Sequence, residues 1–187
     1  EGMMLSGAFV GVVASAATGS AAAGLIGAII VGGLLGAVLA GAVHILKADL
    51  ILSGIALNIA AAAGTTLLLF LMTGDKGMSG SLASQVLPKV TIPVIADIPL
   101  LGTLLSGHHI LTYVAFLAVP GVGIFLTRTP LGLRLRAVGE SPESAAIAGI
   151  NVVRVQVMAL IVSGAFAGTG GAFLSMGYVS WFSQDMS

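Results

Sequence analysis

A chain of 187 residues that is 57% apolar and 7% charged falls far below the about 25% charge of an ordinary soluble domain, so it is built for lipid. Seven Lys and Arg balance seven Asp and Glu, which removes the basic excess that a nucleic-acid binder needs against phosphate. The chain has no cysteine, excluding disulfide scaffolds, thiolate-held zinc, iron–sulfur clusters and thiol nucleophiles.

No formal charge lies between Glu1 and Lys47, a run with room for two spanning helices of about 20 residues each. The small polar turn Thr18-Gly19-Ser20 divides it, predicting spans near 3–18 and 21–43. Further charge-free gaps run from Asp49 to Asp75, Asp97 to Arg128 and Arg154 to Asp185. They predict spans near 50–72, 110–127 and 155–177. Apolar segments of this length satisfy their backbone in hydrocarbon as helices, and the alternation of a membrane β-barrel strand is missing. The expected fold is therefore an all-α, polytopic transmembrane helix bundle of about five spans, forming one domain over 1–187. The chain opens on Glu1 without an initiator Met and closes on Met186-Ser187, and is expected to be a piece of a longer protein, truncated at both ends.

Basic residues set the orientation of such spans. Lys47, Arg128, Arg134, Arg136 and Arg154 fall on one side, and Lys76 and Lys89 on the other. Segment 128–154 is thus expected in the cytoplasm, and the long 73–109 loop, broken by Pro88, Pro93 and Pro99, outside. Glycines four apart (Gly7 and Gly11, Gly32 and Gly36, Gly164 and Gly168) predict seams of close helix packing. Pro120 with Gly121 and Gly123 predicts a kink in the fourth span.

Few side chains offer chemistry. Asn58 lies mid-span in Ser53-Gly54-Ile55-Ala56-Leu57-Asn58, where its amide must bond either a neighbouring helix or a polar solute. Thr65 and Thr66 can bond their own helix. His108 and His109 are adjacent and diverge on a helix, and His44 has no second histidine at ligand spacing, so no metal site is expected. Gly74-Asp75-Lys76-Gly77-Met78-Ser79-Gly80 lacks the order of a phosphate loop. No catalytic constellation and no cofactor site is encoded.

The cytoplasmic segment stands apart. Ser141 is a good N-cap, Pro142 suits the first helical position, and Glu143 lies in the first turn where the dipole favours it. Gly149 can close the helix in the left-handed conformation. The largest cytoplasmic element is thus expected to be this two-turn helix with a small apolar face, read either as an ordinary interfacial loop helix or as a docking knob for a cytoplasmic partner.

Four stretches resemble the permease subunits of bacterial ABC importers for simple sugars and nucleosides, relatives of the ribose and branched-chain amino-acid permeases. They are Glu1-Gly2-Met3-Met4-Leu5-Ser6-Gly7-Ala8-Phe9, the Ser53-to-Asn58 run, the Thr129-to-Val152 segment and Ser163-Gly164-Ala165-Phe166-Ala167-Gly168-Thr169-Gly170-Gly171-Ala172. The run from Arg136 through Gly139-Glu140-Ser141-Pro142 to Ala146 is the most specific and looks closest to the nucleoside branch. The resemblance implies a multi-pass permease of the bacterial cytoplasmic membrane, itself not an enzyme. It implies a separate cytoplasmic ATPase subunit, a second permease subunit, identical or paralogous, and an extracytoplasmic solute-binding protein. By position it makes 128–151 the coupling segment, with Gly139, Glu140, Pro142, Ala145, Ala146 and Gly149 at the ATPase contact, and leaves Asn58 as the candidate for solute. Two other classes compete: an ion-coupled secondary transporter, which needs ionisable groups within spans, and a non-transporting membrane scaffold suggested by the glycine seams alone.

Overall fold

The computed structural model describes residues 1–74, 89–90 and 107–178. Seven α-helices follow one another among these residues: α1 Gly2–Thr18, α2 Ala21–His44, α3 Leu50–Thr73, α4 Ile110–Arg128, α5 Pro130–Glu140, α6 Pro142–Ile147 and α7 Val152–Phe173. A π turn, Leu174–Tyr178, extends α7. A two-residue strand Lys89–Val90 (β1) pairs antiparallel with His108–His109 (β2), Lys89 opposite His109. The rest of the expected outer loop lies outside the described residues.

The charge gaps locate the long helices well. Helices α2, α3, α4 and α7 with its π turn are each long and apolar enough to cross a membrane. Helix α1 has 17 residues, about 26 Å at 1.5 Å per residue, slightly short of a hydrocarbon core of about 30 Å. Gly19 closes α1 with φ 66°, and its N–H donates to the Ser15 carbonyl. Asp49 caps α3, its carboxylate accepting the N–H groups of Ile51 and Leu52 at 2.9 and 3.1 Å. Helix α4 runs unbroken through Pro120, so the proline leaves its continuity intact.

Packing reverses the arrangement of a soluble bundle. On α2 the buried positions Gly24, Ala28, Gly32, Gly36 and Ala40 recur every four residues, while Ile26, Ile30, Leu34 and Val38 on the opposite face are exposed. Lipid tails are as apolar as leucine, so large side chains lose nothing by facing outward, and small ones let helix backbones meet. A Cβ added to Gly32 would strike the Gly164 carbonyl, and one added to Gly164 would strike that of Gly32. Gly36 meets the Leu160 carbonyl and Gly168 that of Ala28 in the same way. These reciprocal contacts run α2 against α7. Helix α1 lies in the groove beside them, with Gly7 against Gly168 and Gly171 against the Met4 carbonyl. Leu5, Phe9, Val12, Leu69 and Met176 fill the remaining core.

Gly32→Leu is expected to destabilise the bundle by about 1–3 kcal/mol through overpacking, read as a lower unfolding temperature in detergent. Gly54→Leu, whose added Cβ meets nothing within 4 Å, should shift stability by less than about 0.5 kcal/mol. Equal losses in both variants would contradict the seam.

Candidate coupling segment and solute path

The segment after α4 holds more structure than one two-turn helix. Helix α5, with 11 residues, is its largest element, which corrects the expectation that the 142–147 helix would be. The signal was present: Thr129-Pro130 repeats the cap and first-position chemistry of Ser141-Pro142. Thr129 accepts the Gly132 N–H at 3.1 Å, and Pro130 occupies the first turn. A Cβ at Gly132 would collide with the Phe125 carbonyl, so glycine lets α5 fold closely back on the end of α4.

Helix α6 follows as the sequence predicts. The Ser141 hydroxyl oxygen accepts the Ser144 N–H at 3.3 Å and lies 2.8 Å from the Ser144 hydroxyl. At the other end the N–H of Ile150 donates to the Ala145 carbonyl and that of Gly149 to the Ala146 carbonyl, both at 3.0 Å. With Gly149 at φ 80° this is a Schellman closure, which satisfies carbonyls that the helix end would otherwise leave unpaired. Asn151 then caps α7 by accepting the Arg154 N–H at 3.0 Å.

Of the residues placed at the contact by resemblance, Gly139 and Glu140 end α5, and both are exposed, as are Pro142, Ala146 and Gly149. Ala145 is turned inward and is 4% exposed, so the structure does not bring it to the surface with the others. The most prominent side chain on the knob is Ile147, 90% exposed. Its signal in the sequence was a lone β-branched residue among alanines. Arg128, Arg134, Arg136 and Arg154 are all exposed around this segment.

Asn58 sits on α3 where α1 approaches. Its side-chain oxygen accepts the Gly2 N–H at 2.8 Å, and a Cβ on Gly2 would lie 2.9 Å from both the Asn58 Cα and that oxygen. The amide therefore bonds a neighbouring helix. Thr65 and Thr66 return their hydroxyls to the carbonyls of Ala61 and Ala62. Away from these, an open cleft of about 780 Å³ separates α4 from α7, lined among others by Thr112, Ala115 and Val119 on one side and Phe166, Thr169 and Phe173 on the other. The Thr169 hydroxyl donates to the Phe166 carbonyl at 2.6 Å, and the His109 ring meets Phe173 edge-on with centroids 6.1 Å apart. Phe166 and Phe173 share a face at a seven-residue spacing, and only tertiary structure sets α4 across from it. Among the described residues no three His, Asp or Glu side chains gather to hold a metal.

The helices, their glycine seams and the capped α6 agree with what known proteins of similar sequence show. The family described as "Branched-chain amino acid transport system / permease component" matches residues 1–187. The chain belongs to this permease family. Similar members include TsgC13 of Haloferax volcanii, an ABC transporter permease with a provisional glucose assignment, 37% identical over 95% of this chain and 53% of its own length. The guanosine ABC transporter permease NupQ of Bacillus subtilis is 35% identical over 67% of this chain and 39% of itself. The nucleoside ABC transporter permease NupC of Lactococcus lactis is 35% identical over 74% of this chain and 43% of itself. The chain thus spans about half the length of the curated relatives it matches. No solved structure matches it. Like the family, it is a multi-pass protein of the cytoplasmic membrane, and permeases of this kind are transport components without enzymatic activity.

Asn58→Ala should lower stability by about 1 kcal/mol through loss of the bond to Gly2, with the KM for solute unchanged in the complete permease. A KM raised several-fold without a change in unfolding temperature would instead place Asn58 on the solute.

Proposed function

We propose that this chain is part of the membrane-spanning subunit of an ATP-binding-cassette importer that moves a nucleoside or simple sugar inward. A separate cytoplasmic ATPase drives alternating access, a second permease subunit completes the path, and an extracytoplasmic protein delivers the solute. The observation that carries this is the doubly capped α6. A six-residue helix has little stability of its own. Here it is held by a serine cap, a Schellman closure and the inward Ala145, and it presents Ala146 and Ile147 to the aqueous side among the arginines. Such a rigid, small, apolar knob suits a groove on a partner protein.

The solute class rests on the relatives, whose names assign nucleosides, guanosine and, provisionally, glucose to their own permeases. An ion-coupled transporter is not favoured, because no ionisable side chain lies in α1 or in α2 before His44. A passive scaffold would have no use for an ordered cytoplasmic knob.

In the complete importer, Ile147→Asp and Ala146→Arg should each reduce ATP-driven uptake roughly tenfold or more, as at an interface hot spot, with unchanged membrane insertion. Ala145→Arg should differ from both by lowering the amount of folded protein, since it forces a charge into a buried site. Uptake at the native rate in both the Ile147 and Ala146 variants would overturn the coupling assignment.

A further inference from the structure

The end of α7 departs from α-helical geometry where it meets α1. The turn Leu174–Tyr178 is a π turn, which takes in one residue more than an α-turn and is frequent at functional sites. The wider turn brings consecutive residues inward: Ser175 and Met176 are both 0% exposed and Gly177 is buried beside them. Met176 packs between α1 and α2: Cβ atoms added at Gly11 and Gly24 would lie 3.6 Å from its Cε and 2.8 Å from its Sδ.

Ser175 is the informative residue. Its hydroxyl lies 3.0 Å from the Ala8 carbonyl of α1, 3.2 Å from the Gly171 carbonyl and 3.4 Å from the Ala172 carbonyl of its own helix. A hydroxyl carries one proton, so three carbonyls compete for one donor. The shortest bond crosses to α1, and the other two remain available without moving α7. If α1 and α7 part, the proton turns to Gly171 or Ala172, and the expense of a buried unpaired hydroxyl never arises. Elsewhere along this seam α1 and α7 meet largely backbone to backbone, and Met176 is the side chain that keys the π turn against α1. Gly7 faces Gly168 and Gly171 faces the Met4 backbone, with no side-chain knob set in a hole at either contact. Ser15, the other fully buried hydroxyl among the described residues, differs: its bond runs to Val12 within α1 and joins no two helices.

We infer that Ser175 and its π turn form a releasable latch between α1 and α7, engaged through Ala8 in the state described here and released to the Gly171 carbonyl when the two helices separate in the transport cycle. This rests on the importer reading above, because it assigns the latch a place in that cycle. Ser175 acts as a positioning residue and does not itself touch solute.

The test uses the full-length permease assembled with its ATPase in proteoliposomes. These 187 residues contain no cysteine, and a Cβ at Gly11 would lie 3.4 Å from that of Ala172, close to disulfide spacing. A Gly11→Cys, Ala172→Cys pair should therefore oxidise readily in the latched state. Its yield is expected to differ roughly fivefold between ATP-free and vanadate-trapped complexes, the shift of about one net hydrogen bond. Oxidation should stop uptake and reductant restore it. Ser175→Ala should shift the yield in the ATP-free complex toward that of the parted state, and Ser175→Thr, which keeps the hydroxyl, should shift it less. A crosslinked complex that transports at the native rate, or a yield that neither state nor Ser175→Ala changes, overturns the latch. Should the cysteine pair not assemble, amide exchange at Ser175 and Met176 in the unmodified complex decides. Different protection in the two states supports the latch, and equal protection overturns it. Absence of ATP-driven uptake by the native complex defeats the importer reading as well, whereas uptake with a static seam defeats the latch alone.

Discussion

In a bilayer the hydrophobic effect that holds a soluble bundle together is missing, because a leucine gains nothing by leaving lipid for protein. Helix contact must then come from dispersion between closely approaching backbones, and here that contact is the α2–α7 crossing. Gly32 and Gly164 each stand against the other's carbonyl, and Gly36 and Gly168 extend the contact to Leu160 and Ala28. Everything else is positioned from this pair. Helix α1 fits beside it through Gly7 and Gly171, α3 is tied to α1 through Asn58 and Gly2, and the large aliphatic residues are left to face lipid.

The same constraint governs the polar groups. In the spans, hydroxyls are returned to local carbonyls, as with Thr18 to Ala14, Thr65 to Ala61 and Thr127 to Gly123. Among the described residues no buried side-chain nitrogen or oxygen lacks a partner. Only a polar group that reaches another helix adds to the tertiary structure. Asn58 and Ser175 do so, one where α3 meets the start of α1 and the other where the end of α7 meets its middle. Both bond α1, which packs against α2, α3 and α7 at once, so each of these bonds ties a neighbouring helix to the centre of the bundle.

At the aqueous end the physics changes from packing to capping. Thr129, Ser141 and Asn151 each accept a backbone N–H and start a helix, so the chain turns between α4 and α7 through short, well-ended pieces. Gly132 and Gly149 make these turns possible, the first by close approach to α4 and the second by its left-handed conformation. The outcome is that Ile147, whose composition alone would send it to lipid or core, stands in the open on a rigid support. The proposed docking to a partner rests on that combination of exposure and order.

Placement of charge by itself determined where the helices run, because a formal charge is too expensive in hydrocarbon to lie within a span. The gaps between Glu1 and Lys47 and between Arg154 and Asp185 mark the helices almost to their ends. Cap chemistry likewise determined α6, since Ser141, Pro142 and Gly149 act on their immediate neighbours. The same logic applied to Thr129-Pro130 contains α5, and its Leu and Arg composition hid it. Contacts across the bundle were not legible, because glycine spacing shows that a face is smooth without naming its partner. That Gly32 meets Gly164, that Asn58 bonds Gly2, that Ala145 faces inward while Ala146 and Ile147 face out, and that Ser175 reaches Ala8 are set by rotation and crossing of whole helices. Those depend on many weak backbone contacts at once, and only the tertiary structure decides them.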